Sequence, residues 1–476
     1  MRVQQPVRNR NTSLQQSAIH QALASNEALS QEKKEQIEHN VSLHAQALHQ
    51  PTRAATHGEG PKDVTGGDRS SSEDARVHPA AIQPDGNAVA HGPLINLFRT
   101  YSVWDVGWLR AGWLYFKYYV IAHLPPTYRN WKGYVVKDLD YGVVKYRLPP
   151  NSRVLMIGDW GTHMPDNVAL LRQAITKFKP DAIIHLGDVY YSGTVEECKE
   201  NVLDVMDQIF SDPSLGLRPP FFTIPGNHDY YSGGGGFYHT IDNINSGITN
   251  CKQEASYFCL RTEDDKWQFL GMDTGYNDRV PTDQLTDAEG PDLHQNEGEW
   301  QRDKLDKFSG STILLSHHQL VSAKEQLSKG ERPYLNEKLY KKFSPYFDRI
   351  SVWYWGHEHN LILFEDNLRI DRNGPVLKRG RLLGCSAYEE NVGEDPFARK
   401  YTDVRFIAGM PQLGRSNFKT GGQSFYNHAF AILDVAPEKI IATYYEYPSW
   451  GLDNKPPSEP KIPDGNFHQE ELRPTR

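Results

Sequence analysis

The chain has 476 residues, of which 38% are hydrophobic and 11% aromatic; at roughly 100–200 residues per domain this allows two to four domains, or one large domain with decorations. Lys and Arg number 52 against 60 Asp and Glu, a net charge of -8, which argues against a dedicated nucleic-acid binder because such proteins usually carry a basic excess. Four cysteines, Cys198, Cys251, Cys259 and Cys385, do not make a disulfide framework, and reduced thiols are the expectation.

The N-terminus, MRVQQPVRNRNTSLQQ, has no apolar run of the kind a secretory signal needs. No stretch of 18 or more uncharged apolar residues follows, so no spanning helix is predicted. Cytoplasmic residence is expected, with export by another route left open. All 10 Trp, 25 Tyr and 19 Phe lie beyond residue 97. Residues 1–92 carry two weak helical patterns, Ile19 with Leu23 and Ile37, Val41, Ala45 with Leu48. Without aromatic residues these faces bury little area, and 57–92 is rich in Gly, Pro, Ser and Asp. A disordered extension ending in a linker is expected; a partner-binding or export segment is the functional alternative.

Residues 93–150 differ. The run 94–124 holds Trp104, Trp108, Trp113, Tyr115, Phe116, Tyr118 and Tyr119. It reads as an aromatic helix, with Arg110, Lys117 and His123 disfavouring a span. Packing on the following domain is one reading, and peripheral membrane contact is the other, since Trp and Tyr favour the headgroup level. Tyr134–Tyr146 reads as a strand pair turning near Asp140-Tyr141-Gly142, and Pro149-Pro150 marks a boundary.

From 151 to 447 short apolar runs alternate with helical patterns. Strands are predicted at Val154–Gly158, Ala182–Gly187, Phe221–Pro225, Trp267–Met272, Thr312–Ser316 and Val352–Trp355. Helices are predicted at Asn167–Phe178, Val202–Phe210, Gln295–Lys307 and Asn336–Phe347. Further strands fall at Arg381–Cys385, Phe430–Val435 and Ile440–Tyr445. Such alternation means an α/β fold with helices covering a sheet. Residues 448–476, proline-rich and charged, are expected to be a disordered tail.

Five strand ends run directly into polar residues: Gly158-Asp159, Gly187-Asp188, Gly226-Asn227-His228-Asp229, Ser316-His317-His318 and Gly356-His357-Glu358-His359. Ligands of open α/β sheets bind beyond the carboxyl ends of strands, so these ends can converge on one site. Two aspartates, an asparagine and three histidines mix hard oxygen with imidazole nitrogen. That set suits Mn, Fe or Zn better than Ca or a thiolate-bound metal. It is too many ligands for one ion, so two metals are the economical reading.

In these motifs the region from about Arg153 to Tyr445 resembles the calcineurin-like metallophosphoesterase superfamily, and within it the purple-acid-phosphatase-type enzymes. The superfamily's first motif is Asp-x-His, whereas this chain has Asp159-Trp160-Gly161. Purple acid phosphatases share that glycine and supply a tyrosine three residues after the bridging aspartate, where Tyr191 stands. The resemblance implies a four-layer α/β/β/α sandwich in which Asp188 bridges two metals. Asp159, Tyr191 and His359 would complete the first metal, and Asn227, His317 and His357 the second. His228 would lie beside the phosphate as an acid or charge stabiliser. In the fourth motif His317 or His318 can be the ligand; alignment of the following Gln319-Leu320-Val321-Ser322 selects His317. His163 is an alternative to Tyr191. The implied activity is phosphomonoester hydrolysis by a hydroxide bridging the two metals, on a phosphorylated small molecule or other phosphoester. The competing readings are a phosphodiesterase acting on nucleotides or phospholipid headgroups, and a membrane-peripheral or secreted interaction protein whose N-terminal 150 residues carry the function. The loop Ser232–Tyr238, with four glycines, reads as a flexible loop or a substrate-side flap.

Overall fold

The computed structural model describes residues 114, 118, 124–132, 139–216, 218–278, 290–388, 395–405, 419–420, 423–424, 426–450, 456, 458 and 460–475. The expected extension 1–92 and most of the aromatic run 94–124 lie outside the described residues. Among the described residues no helix is long and apolar enough to cross a membrane.

Among the described residues fifteen strands follow in chain order: β1 Val143–Leu148, β2 Ser152–Ile157, β3 Ala182–His185, β4 Phe221–Thr223, β5 Phe258–Thr262, β6 Trp267–Gly271, β7 Ser311–Ser316, β8 Ile350–Trp355, β9 Leu361–Leu363, β10 Gly380–Leu383, β11 Lys419–Thr420, β12 Gln423–Ser424, β13 His428–Ala436, β14 Lys439–Tyr447 and β15 His468–Leu472. β11 and β12 pair only with each other. The others form two mixed sheets, one ordered β1-β5-β6-β7-β8-β10-β9 and one ordered β15-β14-β13-β2-β3-β4. In the first, β6, β7, β8 and β10 are parallel neighbours. In the second, β2, β3 and β4 are parallel.

The two-residue strand period sorts each central strand between two cores. Val154 and Met156 of β2, Ile313 and Leu315 of β7, and Val352 and Tyr354 of β8 meet in a core between the sheets. Their alternates face outward. Leu314, Trp353 and Trp355 pack with Trp300, Leu339 and Phe343, while Leu155 and Ile157 pack with Leu170, Leu171 and Met206. Three stacked cores make four layers, helix, sheet, sheet, helix. Burial on both faces explains why the parallel strands read as continuous apolar runs.

The helices begin where local chemistry starts them. Helix α1, Pro165–Phe178, has proline in its first turn and ends at Lys179 in the left-handed region, a common stop. A helix that follows the Asp188 loop opens at Val195 with a capping box between Thr194 and Glu197, satisfying two otherwise orphaned amides. The predicted Gln295–Lys307 is helical over those residues.

Of the strand pair predicted within Tyr134–Tyr146, residues 133–138 lie outside the described residues, and the second half is β1, which lies parallel to β5. One expectation is corrected. The tail 448–476 is not disordered throughout. Its residues 468–472 form β15, antiparallel to β14. The reason is a buried charge. Arg381 on β10 is fully buried, and Glu470 accepts from its Nε at 2.9 Å and from its second amino group at 2.7 Å. A guanidinium in a core demands such a partner, and the tail supplies it.

Candidate metal centre

The loops after β2, β3 and β4 come from one sheet and those after β7 and β8 from the other, and all five meet at one end of the sandwich. Asp159, Asp188 and His317 each place a ligand atom within 4.8 Å of the others, as do His317, His318 and His357. Two bonds stitch the halves together. The His357 amide donates to Asp159 at 3.0 Å, and His317 Nδ1 lies 2.9 Å from the Leu186 carbonyl. Asp159, Asp188 and His357 all have positive φ, at 56°, 70° and 76°. Non-glycine residues in that region cost about 1–3 kcal/mol each and cluster at functional sites. Space is tight as well. A Cβ on Gly226 would strike the Asp188 carboxylate, and one on Gly356 the Asp159 carboxylate.

The bonds of each ring decide which nitrogen faces inward. His317 Nδ1 donates to Leu186, so the neutral ring turns the lone pair of Nε2 toward the cluster. That atom is 3.2 Å from Asn227 Oδ1, 3.2 Å from His357 Nδ1 and 3.5 Å from Asp188 Oδ2. Asn227 donates its amide to Tyr231 at 2.7 Å, which leaves its oxygen facing the same point. His318 has no such freedom. Its Nδ1 is 2.9 Å from the Thr274 hydroxyl and its Nε2 2.9 Å from Asp278 Oδ2. The geometry therefore favours His317 as the ligand and makes His318 a wall held from behind.

His359 Nε2 is 3.7 Å from Asp159 Oδ1. His228 Nδ1 is 2.7 Å from the Tyr191 carbonyl, and its Nε2 points to Asp188 at 3.9 Å. Burial holds His317, His318 and His359 well below the usual imidazole range, so these rings are neutral and ligand-ready. Burial, then the charge of Asp188, pushes Asp159 well above the usual carboxylate range. Converging lone pairs of neutral imidazoles, an amide oxygen and buried carboxylates are a donor set that fits transition-type cations.

The tyrosine expectation is corrected. The phenol that meets the cluster is that of Tyr190, 3.1 Å from Asp188 Oδ2, 3.5 Å from Asp159 Oδ1 and 2.8 Å from His359 Nε2. Tyr191 joins the site through its backbone carbonyl, which faces His228. The cause lies at Gly161, where a Cβ would come within 2.7 Å of the Asp188 carbonyl oxygen. The 188–190 loop leans into the space a side chain would occupy, its Tyr190 amide donating to the Gly161 carbonyl at 3.1 Å. Gly187 and Asp188 both have positive φ, so the chain doubles back and brings over the carboxylates the residue two on from Asp188. His163 is exposed.

Several supporting residues were not foreseen. Asp229 Oδ2 accepts from the amides of Gly226 at 2.8 Å and Asp188 at 3.0 Å, fixing two ligand loops at once. It stands inside the Gly-Asn-His-Asp motif, so its presence was visible but its task was not. Asp278 carries no sequence signal of its role. The Ser232–Tyr238 loop is not a flap: a helix runs from Gly235 to Asn243 with Phe237 and Tyr238 buried. All four cysteines are free and buried.

Residues 152–361 match the family model for calcineurin-like phosphoesterases, a span that contains every residue of the cluster. That region is similar to the calcineurin-like phosphoesterases. No curated protein matches. Among solved structures, GAP50, described as the anchor in the inner membrane complex of Plasmodium, has a TM-score of 0.41 at 13% identity, covering 68% of this chain and 89% of that one. The structure of PhoD has a TM-score of 0.46 at 11% identity, covering 69% of this chain and 70% of that one.

Proposed function

We propose that the protein is a metal-dependent phosphomonoesterase with a dinuclear centre. The observation that carries this is the convergence of Asp159, Asp188, Asn227, His317, His357 and His359, which brings imidazole nitrogens, an amide oxygen and carboxylates together. Asp188 lies centrally, between the two groups, and is the bridging carboxylate. Asp159, Tyr190 and His359 complete one position; Asn227, His317 and His357 complete the other. When bound, two cations of the Fe, Mn or Zn class supply Lewis acidity at the phosphoryl oxygens and lower the pKa of a coordinated water.

The chain's own part is orientation. Leu186 fixes the tautomer of His317, Asp229 fixes the Asp188 loop, and Tyr231 fixes the Asn227 amide. His228 is the candidate acid. Its Nδ1 is committed to the Tyr191 carbonyl, so a transferable proton must sit on Nε2, the atom that faces Asp188. The likeness to purple acid phosphatases is supported by Gly161 and departs from their pattern at the phenol, which comes from Tyr190, two residues after Asp188 rather than three; the likeness favours monoesters. Metal-loaded protein should hydrolyse p-nitrophenyl phosphate faster than bis-p-nitrophenyl phosphate. The reverse preference would make it a phosphodiesterase, and turnover of neither would remove the phosphoesterase reading.

A further inference from the structure

The loops that carry Asp159 and Asp188 are joined by a side chain outside the cluster. Asn201 is buried, and its amide nitrogen lies 3.0 Å from the Gly161 carbonyl oxygen and 2.9 Å from the Tyr190 carbonyl oxygen. Gly161 is two residues past Asp159, and Tyr190 is two past Asp188. One side chain therefore spans both carboxylate loops at equivalent places.

The chemistry of the spot selects asparagine. Two carbonyl oxygens facing one atom need two hydrogens from it, so the NH2 group, and not the amide oxygen, stands between them. A hydroxyl brings only one hydrogen, and an ammonium would bring a charge into a buried position. The Tyr190 amide donates to the same Gly161 carbonyl at 3.1 Å. Both peptide groups of Tyr190 are thus held, its N–H by Gly161 and its C=O by Asn201. Holding both fixes the direction in which the side chain leaves the backbone, and with it the phenol 3.1 Å from Asp188 Oδ2. The clamp has a fixed base. Asn201 stands in a single π turn over Lys199–Leu203, where the Asp204 amide bonds back to the Lys199 carbonyl, a widening found often at functional sites. The helix that leads into this turn is anchored on the tyrosine loop, because Glu197 accepts from the amides of Ser192 at 3.1 Å and Thr194 at 3.0 Å.

We propose that Asn201 is a positioning residue of the metal centre: it clamps the Gly161 and Tyr190 carbonyls together and so aims the Tyr190 phenol at the carboxylates. The place of that phenol in the first metal position rests on the function proposed above, whereas the clamp rests on the hydrogen bonds alone.

Asn245 supplies a matched control. It is buried too, and its amide nitrogen bridges the carbonyls of Phe221 at 2.8 Å and Cys251 at 2.9 Å, neither of them in the tyrosine loop. Asn201→Leu and Asn245→Leu each remove such a bridge without adding charge, and Asn201→Asp keeps the shape while turning an oxygen onto both carbonyls. In the full chain, hydrogen exchange of the segment 186–192 should quicken by about tenfold in the Asn201 variants and stay unchanged in Asn245→Leu. In iron-loaded protein the visible charge-transfer band should shift or weaken in the Asn201 variants and stay in place in Asn245→Leu. Should Asn201→Asp not fold, Asn201→Leu carries both readouts. Unchanged exchange in the Asn201 variants overturns the clamp. Quickened exchange with an unmoved band, or a band that moves as much in Asn245→Leu, overturns the positioning role. A wild type that stays colourless with iron takes the phenol out of the metal position, which is a failure of the earlier reading; exchange then decides the clamp by itself.

Discussion

The two sheets give different kinds of atom to the same centre. The sheet of β2, β3 and β4 delivers oxygen: Asp159, Asp188 and the Asn227 amide. The sheet of β7 and β8 delivers nitrogen: His317, His357 and His359. Neither half is a competent site alone, because oxygens without imidazoles leave buried like charges together, and imidazoles without carboxylates leave no bridge. The centre therefore depends on how the sheets are held in register, and the bonds His357 N to Asp159 and His317 to Leu186 are where that register is felt. Changes in the oxygen half, in the nitrogen half, and in the ties far from the site should differ in kind as well as in size.

The largest effect is expected in the oxygen half. Asp188→Ala should lower the metal content from close to two ions per chain and reduce hydrolysis by at least about a thousandfold, since it removes the group between both positions. Elemental analysis and steady-state rates read it out. Retained activity with two ions bound would end the bridging assignment.

In the nitrogen half, adjacent histidines should separate. His317→Ala should approach the loss of Asp188→Ala. His318→Ala should cost only about 10- to 100-fold, as outer partners of metal ligands do, because both its nitrogens are engaged by Thr274 and Asp278. The reverse order would show that the inward ring has been misassigned.

A smaller and more specific contrast concerns Tyr190 and Tyr191. If a phenolate completes the first position, an iron-loaded sample should show a visible charge-transfer band. Tyr190→Phe should abolish it and Tyr191→Phe should leave it, with both proteins folded by circular dichroism. A band that survives Tyr190→Phe but not Tyr191→Phe would restore the sequence-based assignment, and a colourless iron-loaded protein would remove phenolate ligation altogether.

That contrast also shows what a sequence can carry. The strands with two buried faces, the helix Gln295–Lys307 and the five polar strand ends were legible, because apolar runs and Gly-Asp or Gly-His junctions are local signals. Spacing named the tyrosine loop but not the direction of its side chains. That direction depends on backbone turns at Gly187 and Asp188 and on the absent side chain at Gly161, which become visible only once two loops touch. The task of Asp278 was invisible for the same reason, since its partner His318 lies 40 positions away. The tail misled in the opposite sense. Prolines and charges suggested solvent, but the partner of Glu470 was a buried arginine on a strand nearly 90 positions earlier.

That tail is the distant tie, and it gives the smallest effect on chemistry. Glu470 bonds Arg381 on the nitrogen-bearing sheet from a strand of the oxygen-bearing one, and Arg379 lies 2.9 Å from it as well. Glu470→Gln removes one of the two carboxylates that face the Arg381 guanidinium, the other being Asp366 at 2.7 Å, a loss of about 1.5–3 kcal/mol that thermal unfolding should register as a drop of several degrees. The rate constant per folded, metal-loaded molecule should change little, since the tie does not touch the centre. Acid should expose the same pair. Burial raises the Glu470 carboxyl, but the hydrogen bonds and charge of Arg381 outweigh it and hold the group below its ordinary range. A folded-state value below the unfolded one, about 4.3 for glutamate, means that the stabilisation is full above that pH and is lost as the pH falls through the lower folded value. The gap in melting temperature between wild type and Glu470→Gln should accordingly stay constant near neutrality and close below about pH 4. A gap that persists undiminished in acid would mean that shape, rather than charge, holds the tail across the two sheets.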